Sequence, residues 1–425
     1  MNSLSKFLPK SSFFRSASIY FLSNVISAVI PFLLLPILTR YLTPEEYGEI
    51  ALFQVLVGFF SAFVGVNVNG AIVRYYYEKS TSQNNDISNY IGVCFLILLV
   101  SMLIALLSMF VFSGYISESI KINESYIYIA LLVSAFSFLI KIRLSQYQVR
   151  KLPLKYAFIQ IPNAALSVLI TLLLIIGFSL GPNGRVYAML VSAVFISFVC
   201  VYLLIKERVV SFRNLKKEYF FDALNYGVKI IPHILGVFLI GIIDRYIIAS
   251  KIGLNEVGIY MSAIQLGLIL SVLFDGINKA FVPWLFSILK RDIASEKNKV
   301  VRFTYGYIIL LVSMMPFFYY LSPLVVNTVL GKDFSDAADI IGLILIAQCL
   351  SGIYLMFTNY IIYEKKTGRL SLITITCGGV HVALSLFLLE ENGIYGVAIS
   401  LVITMFIRAI STFYISSKYS NIKWY

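Results

Sequence analysis

The sequence predicts an all-α integral membrane protein of twelve transmembrane helices arranged as two six-helix lobes. Three observations predict it. The 425 residues are 59% hydrophobic and only 13% charged, whereas soluble domains carry roughly 25% charged residues. The apolar residues fall in runs separated by short charged or Gly/Pro-rich breaks, and at about 20 residues per span the length accommodates a dozen helices. A weak internal repeat divides the chain near its middle.

The runs place spans at 14–38, 48–71, 88–113, 125–140, 156–179 and 185–205 in the first half. The second half gives 226–249, 257–283, 303–328, 338–362, 370–389 and 393–415. The fourth run is short and is expected to continue through Ser145. The first run begins near Phe13 and is far longer than a signal-peptide core, so no cleavable signal is expected. Cys94, Cys200, Cys349 and Cys377 each lie inside an apolar run without metal-ligand spacing, and are expected as small core- or lipid-facing residues without disulfides.

Lysine and arginine set the orientation. With the amino terminus in the cytoplasm, 25 of the 34 basic residues fall in cytoplasmic segments, the largest groups being Lys141 to Lys155, Lys206 to Lys217 and Lys290 to Arg302. The outer loops hold one each: Arg40, Lys121, Arg185, Lys251 and Lys332. Both ends are therefore expected in the cytoplasm. The net charge of +13 then reflects topology and attraction to anionic inner-leaflet lipid rather than a nucleic-acid surface.

Three pairs of segments recur in order. Leu42-Thr-Pro-Glu-Glu46-Tyr-Gly48 matches Leu254-Asn-Glu256-Val-Gly258, Asn69-Gly-Ala-Ile-Val73 matches Asn278-Lys-Ala-Phe-Val282, and Gly181-Pro-Asn-Gly184 matches Gly393-Ile-Tyr-Gly396. The repeat implies an N-lobe over 1–210 (helices 1–6) and a C-lobe over 211–425 (helices 7–12). An even number of spans per repeat gives both lobes the same orientation, with a substrate path between them.

Polar residues inside spans are the candidate functional groups, because a charge at a helix centre costs about 2.5–3.5 kcal/mol on insertion scales. In the seventh helix Lys229, His233, Gly236, Ile240 and Asp244 fall on one stripe, with Arg245 about 100° away. In the eighth, Gly267, Ser271, Asp275 and Lys279 form a stripe in which Asp275 and Lys279 are an i,i+4 pair. In the second, Gln54, Gly58, Ser61, Gly65 and Asn69 do so without charge, and in the twelfth Ser400, Thr404, Arg408 and Ser411 line up. Each stripe also has a structural reading: small residues pack helices, Lys229 and Arg408 are near enough to the helix ends to snorkel, and His233 and His381 suit helix–helix hydrogen bonds. The functional reading is that Arg74, Lys229, Arg245 and Lys279 present cations to a water-filled cavity suited to phosphate. Gln54, Asn69, His233, Asp244, Asp275 and Arg408 are its polar or coupling candidates. The first helix carries Pro31 and Pro36 and no carboxylate, and the ninth carries Pro316. The prolines permit bending.

The segment Pro36-Ile-Leu-Thr-Arg-Tyr-Leu-Thr-Pro-Glu-Glu-Tyr-Gly48 resembles the end of the first helix in polysaccharide repeat-unit flippases of the multidrug/oligosaccharidyl-lipid/polysaccharide exporter superfamily. Ile243-Asp-Arg-Tyr-Ile-Ile248 with Glu256-Val-Gly-Ile-Tyr260 is similar to the family's seventh helix and following loop, and Gly181-Pro-Asn-Gly184-Arg185 to its glycine-arginine turn. The resemblance covers essentially the whole chain. It implies a V-shaped, alternating-access transporter in the bacterial inner membrane that moves undecaprenyl-pyrophosphate-linked oligosaccharide for O-antigen, lipopolysaccharide or capsule assembly. By position it implies cavity cations at Arg74, Lys229, Arg245 and Lys279, with Arg40 at an outer gate between lobes. Implied partners are membrane lipids and the polysaccharide polymerase and chain-length proteins. No cofactor or metal site is expected, and no proton or sodium site is identified. Two rivals remain: a cation-coupled multidrug exporter of the same fold, and a membrane polysaccharide polymerase, against which the short outer loops argue.

Overall fold

A computed structural model describes residues 11–78, 84–120, 122–364, 366–420, 422 and 424. Of the residues used for orientation, Lys6, Lys10, Lys79, Lys121, Lys365 and Lys423 lie outside them. The described residues form helices and no strand: α1 Ser11–Tyr41, α2 Pro44–Phe63, α3 Val68–Glu78, α4 Asn84–Ile120, α5 Glu124–Val149, α6 Pro153–Leu172, α7 Gly181–Lys206, α8 Lys217–Gly241, α9 Ile243–Lys251, α10 Leu254–Arg291, α11 Ala294–Val329, α12 Ala337–Tyr363 and α13 Thr367–Tyr419.

Eleven described segments are long and apolar enough to cross a bilayer. The last, α13, has 53 residues, about 80 Å at 1.5 Å per residue, well over the ~30 Å of hydrocarbon. It breaks at Gly393 (φ 57°, ψ −143°) and so makes two spans. The twelve expected spans are present, in a multi-pass membrane protein. The short fourth run is the full-length helix α5.

Local chemistry explains the helix starts. Thr43-Pro-Glu-Glu46 forms a capping box at α2: Thr43 N donates to Glu46 Oε2 at 2.9 Å and Glu46 N to Thr43 Oγ1 at 3.3 Å, with Pro44 at the first helical position, where no amide is needed. Asn123 caps α5 by accepting from Ser125 N at 3.0 Å.

Two of the expected stripes are interrupted. The second span kinks at Gly65, Val66 and Asn67, all with positive φ (73°, 46° and 50°), so Gln54 and Asn69 lie on separate helices rather than one face. Ser101 Oγ accepts the Gly65 amide at 2.8 Å, replacing a helical partner lost at the kink. The seventh span breaks at Ile242 (φ −132°, ψ −34°) between α8 and α9. Asp244 and Arg245 therefore belong to the first turn of a new helix and do not continue the Lys229–His233 stripe.

The chain forms two compact units, Met1–Leu34 with Leu56–Ile231, and Leu35–Val55 with Pro232–Tyr425. In the first, α5, α6 and α7 pack around Ile140, Tyr147, Ile159, Ile196 and Cys200. In the second, α10 to α13 enclose Phe274, Tyr307, Met356 and Tyr360, and Trp424 closes this core among the rings of Phe357, Tyr360 and Phe413. The second unit also holds the end of α1 and the start of α2: Thr39 Oγ1 accepts from Gly331 N at 3.1 Å, and Tyr47 stacks edge-on against Phe334. All four cysteines are free and buried.

Candidate functional site

The second unit contains a buried polar network at the break between α8 and α9. The α9 turn points Asp244 inward, where it is 3% exposed. A carboxylate at that depth requires donors, and two close ones are present, with a serine hydroxyl farther off. His381 Nε2 on α13 stands 2.7 Å from Oδ1, the Tyr260 hydroxyl on α10 donates to Oδ2 at 2.7 Å, and Ser385 Oγ approaches Oδ1 at 3.4 Å. The other imidazole nitrogen, Nδ1, faces two hydroxyls across the Gly393 break, Ser400 at 3.0 Å and Thr404 at 3.2 Å. Arg245, the next residue on α9, is also buried, and its Nε has no partner.

One turn beyond Thr404, Arg408 is buried, against the expectation that it could snorkel. Its guanidinium stacks 3.8 Å from the Tyr354 ring centroid and donates to the Tyr354 hydroxyl at 2.9 Å. α13 runs on to Tyr419, which leaves Arg408 within the α12–α13 packing rather than at a helix end, and the aromatic face offsets its desolvation. His233 Nδ1 is buried without a partner. Asp275 and Lys279 form the expected i,i+4 pair at 2.5 Å, half exposed. Arg40 is exposed, and its guanidinium donates to Pro36 O at 3.3 Å. Gln54 is half-buried on α2.

In the first unit, Arg74 pairs with Asp222, which also accepts from the Tyr90 hydroxyl at 2.8 Å, and lies 5.0 Å from the Tyr226 ring centroid. Lys229, seven residues beyond Asp222 on the same helix, is exposed. Asn69 Oδ1 is buried without a partner. The expected cations thus divide between the units, Arg74 and Lys229 in the first and Arg245 and Lys279 in the second.

Sequence reasoning missed a cavity of 260 Å³ in the first unit, lined by Ser27 and Pro31 of α1, Val133 and Ser137 of α5, Gln160, Asn163, Ala164 and Ser167 of α6, and Met189, Ser192 and Ala193 of α7. Its polar groups are hydroxyls and carboxamides, and Ser27 Oγ is buried without a partner. Arg185 holds one wall by donating to Ser167 Oγ at 3.1 Å and Thr171 Oγ1 at 2.9 Å. Each polar residue is unremarkable in its own helix. The only linear signal is the i,i+3/i+4 spacing of Gln160, Asn163 and Ser167.

Glu207, just past α7, collects three bases that sequence reading treated only as loop charge: Arg143 at 2.8 Å, Arg150 at 2.9 Å and Lys155 at 2.9 Å. Burial by itself would raise the carboxyl's pKa. The hydrogen bonds and charges of Lys155 and Arg143 outweigh it and hold the pKa at about 2. The two basic loops assigned to the same side of the membrane therefore do meet.

Comparison with known proteins agrees with this architecture. A family model described as polysaccharide biosynthesis protein matches residues 13–289. A membrane protein of Haemophilus influenzae is 29% identical over 373 residues, covering 85% of this chain and 86% of the relative. A protein of the Lsg locus of the same organism is 27% identical over 377 residues, covering 87% and 90%. Among solved structures, an inward-facing multidrug resistance transporter of the MATE family and MOP superfamily aligns with a TM-score of 0.73 at 16% identity over 94% of both chains. An outward-facing MATE transporter aligns at 0.64 and 16%, covering 96% of this chain and 94% of that one. These structures share the fold.

Proposed function

The chain belongs to the polysaccharide biosynthesis protein family, and from that premise we propose that it is a flippase for undecaprenyl-pyrophosphate-linked oligosaccharide repeat units of O-antigen or capsule, in the bacterial inner membrane. The fold is that of membrane transporters. The observation that carries the saccharide reading is the cavity of the first unit. Six of its eleven lining residues offer hydroxyl or carboxamide groups and none is charged. Neutral amides and hydroxyls match the donors and acceptors of sugar rings, and Met189 and Pro31 supply an apolar wall. An exporter of organic cations needs a carboxylate at its cargo, and this cavity has none, which disfavours the multidrug alternative.

In the proposed cycle, Arg74 and Lys229 receive the pyrophosphate from the cytoplasmic side, and Lys279 is a further cation available to it. Arg74 exchanges Asp222 for phosphate oxygens, which accept its planar guanidinium equally well. The sugars occupy polar interior surface, the polyprenyl tail stays in lipid, and release passes Arg245. The repeat assigns lobes to 1–210 and 211–425, Arg40 serves at the outer gate, and both termini are cytoplasmic.

The test replaces Gln160 and Asn163 singly with Leu in a strain lacking the chromosomal copy. At normal protein levels, surface polysaccharide should fall at least tenfold. Full complementation by both variants, or drug sensitivity on deletion with unchanged polysaccharide, rejects the reading.

A further inference from the structure

The hydroxyls around His381 are arranged so that its ring is satisfied in either of two protonation states. Nε2 faces Asp244 Oδ1 at 2.7 Å, so this nitrogen carries hydrogen and donates to the carboxylate. Nδ1 faces both Ser400 Oγ and Thr404 Oγ1, and these two hydroxyls are not equivalent. Ser400 donates its own hydrogen to the His381 carbonyl at 3.1 Å while accepting from Ser385 Oγ at 3.0 Å, which leaves it an acceptor toward the ring. Thr404 can turn its hydrogen onto Nδ1. A neutral imidazole accepts from Thr404, and an imidazolium donates from Nδ1 to Ser400. A histidine serving only to staple helices needs one such partner, whereas here both states are paired without moving a heavy atom.

We propose that the His381–Asp244 pair is a proton-binding site of the second unit, loaded and unloaded during the transport cycle. Uptake of one proton from water converts the neutral ring to imidazolium and takes the pair from one net negative charge to none. Release reverses it. His381 is fully buried and Asp244 nearly so, and both lie in the transmembrane region, where such pairs serve as proton relays. Titratable groups on the surrounding helices include Arg245 on α9, Tyr260 on α10, His233 on α8, Tyr354 on α12, Tyr47 on α2, and Cys377 and Arg408 on α13. Arg245 compensates the charge of the unloaded pair, and Tyr260 keeps its hydrogen bond to Oδ2 in both states. The site requires nothing of the cargo, so it stands or falls separately from the saccharide reading.

The chain has two histidines, so H233N leaves His381 as the one imidazole to observe. In purified H233N labelled with ¹⁵N-histidine, the ring nitrogens should pass from the Nε2–H tautomer to imidazolium as pH falls from 9 to 4.5. D244N should move that midpoint down by about one unit or more, because it removes the partner of the charged ring. A ring that holds one state across the range overturns the proposal. A second arm compares the wild type with H381Q, whose carboxamide keeps a donor for Asp244 but takes up no proton. Acid pulses applied to proteoliposomes containing a pH-sensitive dye should drive proton entry at least fivefold faster for the wild type. Equal rates remove the site from the cycle.

Discussion

Gly48 and Gly258 lie face to face, each beneath the first carbonyl of the other's helix. A Cβ on Gly48 would overlap the oxygen of Leu254, the first residue of α10, and one on Gly258 would overlap the oxygen of Pro44, the first residue of α2. Each glycine also sits against the other's amide nitrogen. The two are equivalent positions of the internal repeat, and they meet about a local two-fold inside the second unit.

That contact is testable. Gly48→Ala and Gly258→Ala each place a methyl group on backbone that cannot yield as a side chain would, so each should cost about 1–3 kcal/mol. Because both break one contact, the double variant should cost less than the sum. Melting in detergent measures all three; additive losses would show that the glycines do not share a contact.

The cationic path makes a second prediction. Arg245 is buried with an unpartnered Nε, whereas Lys279 already has Asp275. R245A should therefore lower surface polysaccharide at least tenfold at normal protein level, with a smaller loss for K279A. Complementation by both at wild-type levels would remove these cations from the path.

Glu207 gives a pH dependence. Its carboxyl is held at about 2, below the ordinary glutamate value of about 4.3. The linkage it contributes is present in full above about pH 5 and is lost as pH falls toward 2, because the unfolded carboxyl takes up a proton first. Melting temperature between pH 6 and 2.5 should decline more steeply for the wild type than for E207Q. Parallel curves would mean that the three bases do not hold the carboxylate.

Gly393 offers a backbone-only test. Its φ of 57° with ψ of −143° is a region that L side chains avoid, and an added Cβ would touch nothing within 4 Å. Gly393→Ala should cost about 1–3 kcal/mol from conformation alone. An unchanged melting temperature would imply that the two halves of α13 can join by another turn.

The pairing of side chains across helices is where sequence reading stopped. Spacing places Asp244 on the Lys229–His233 stripe beside Arg245, but the Ile242 break that turns it toward His381, 137 positions away, leaves no periodic trace. The Gln54–Asn69 stripe failed for the same reason: regular spacing assumes an unbroken helix, and Gly65 to Asn67 end it. Its own segment places Arg408 near a helix end, whereas its burial against Tyr354 is set by α12. The loop charges were legible as a side preference, whereas their convergence on Glu207 was not.

Composition and spacing by themselves determined the twelve spans and the repeat, because burial in lipid acts within one segment. The tertiary structure decided where the helices break, which buried charges find partners, and that uncharged hydroxyls and amides from α1, α5, α6 and α7 line one cavity. Each of those depends on groups brought within hydrogen-bonding distance from distant parts of the chain, and a linear pattern carries no record of such distances.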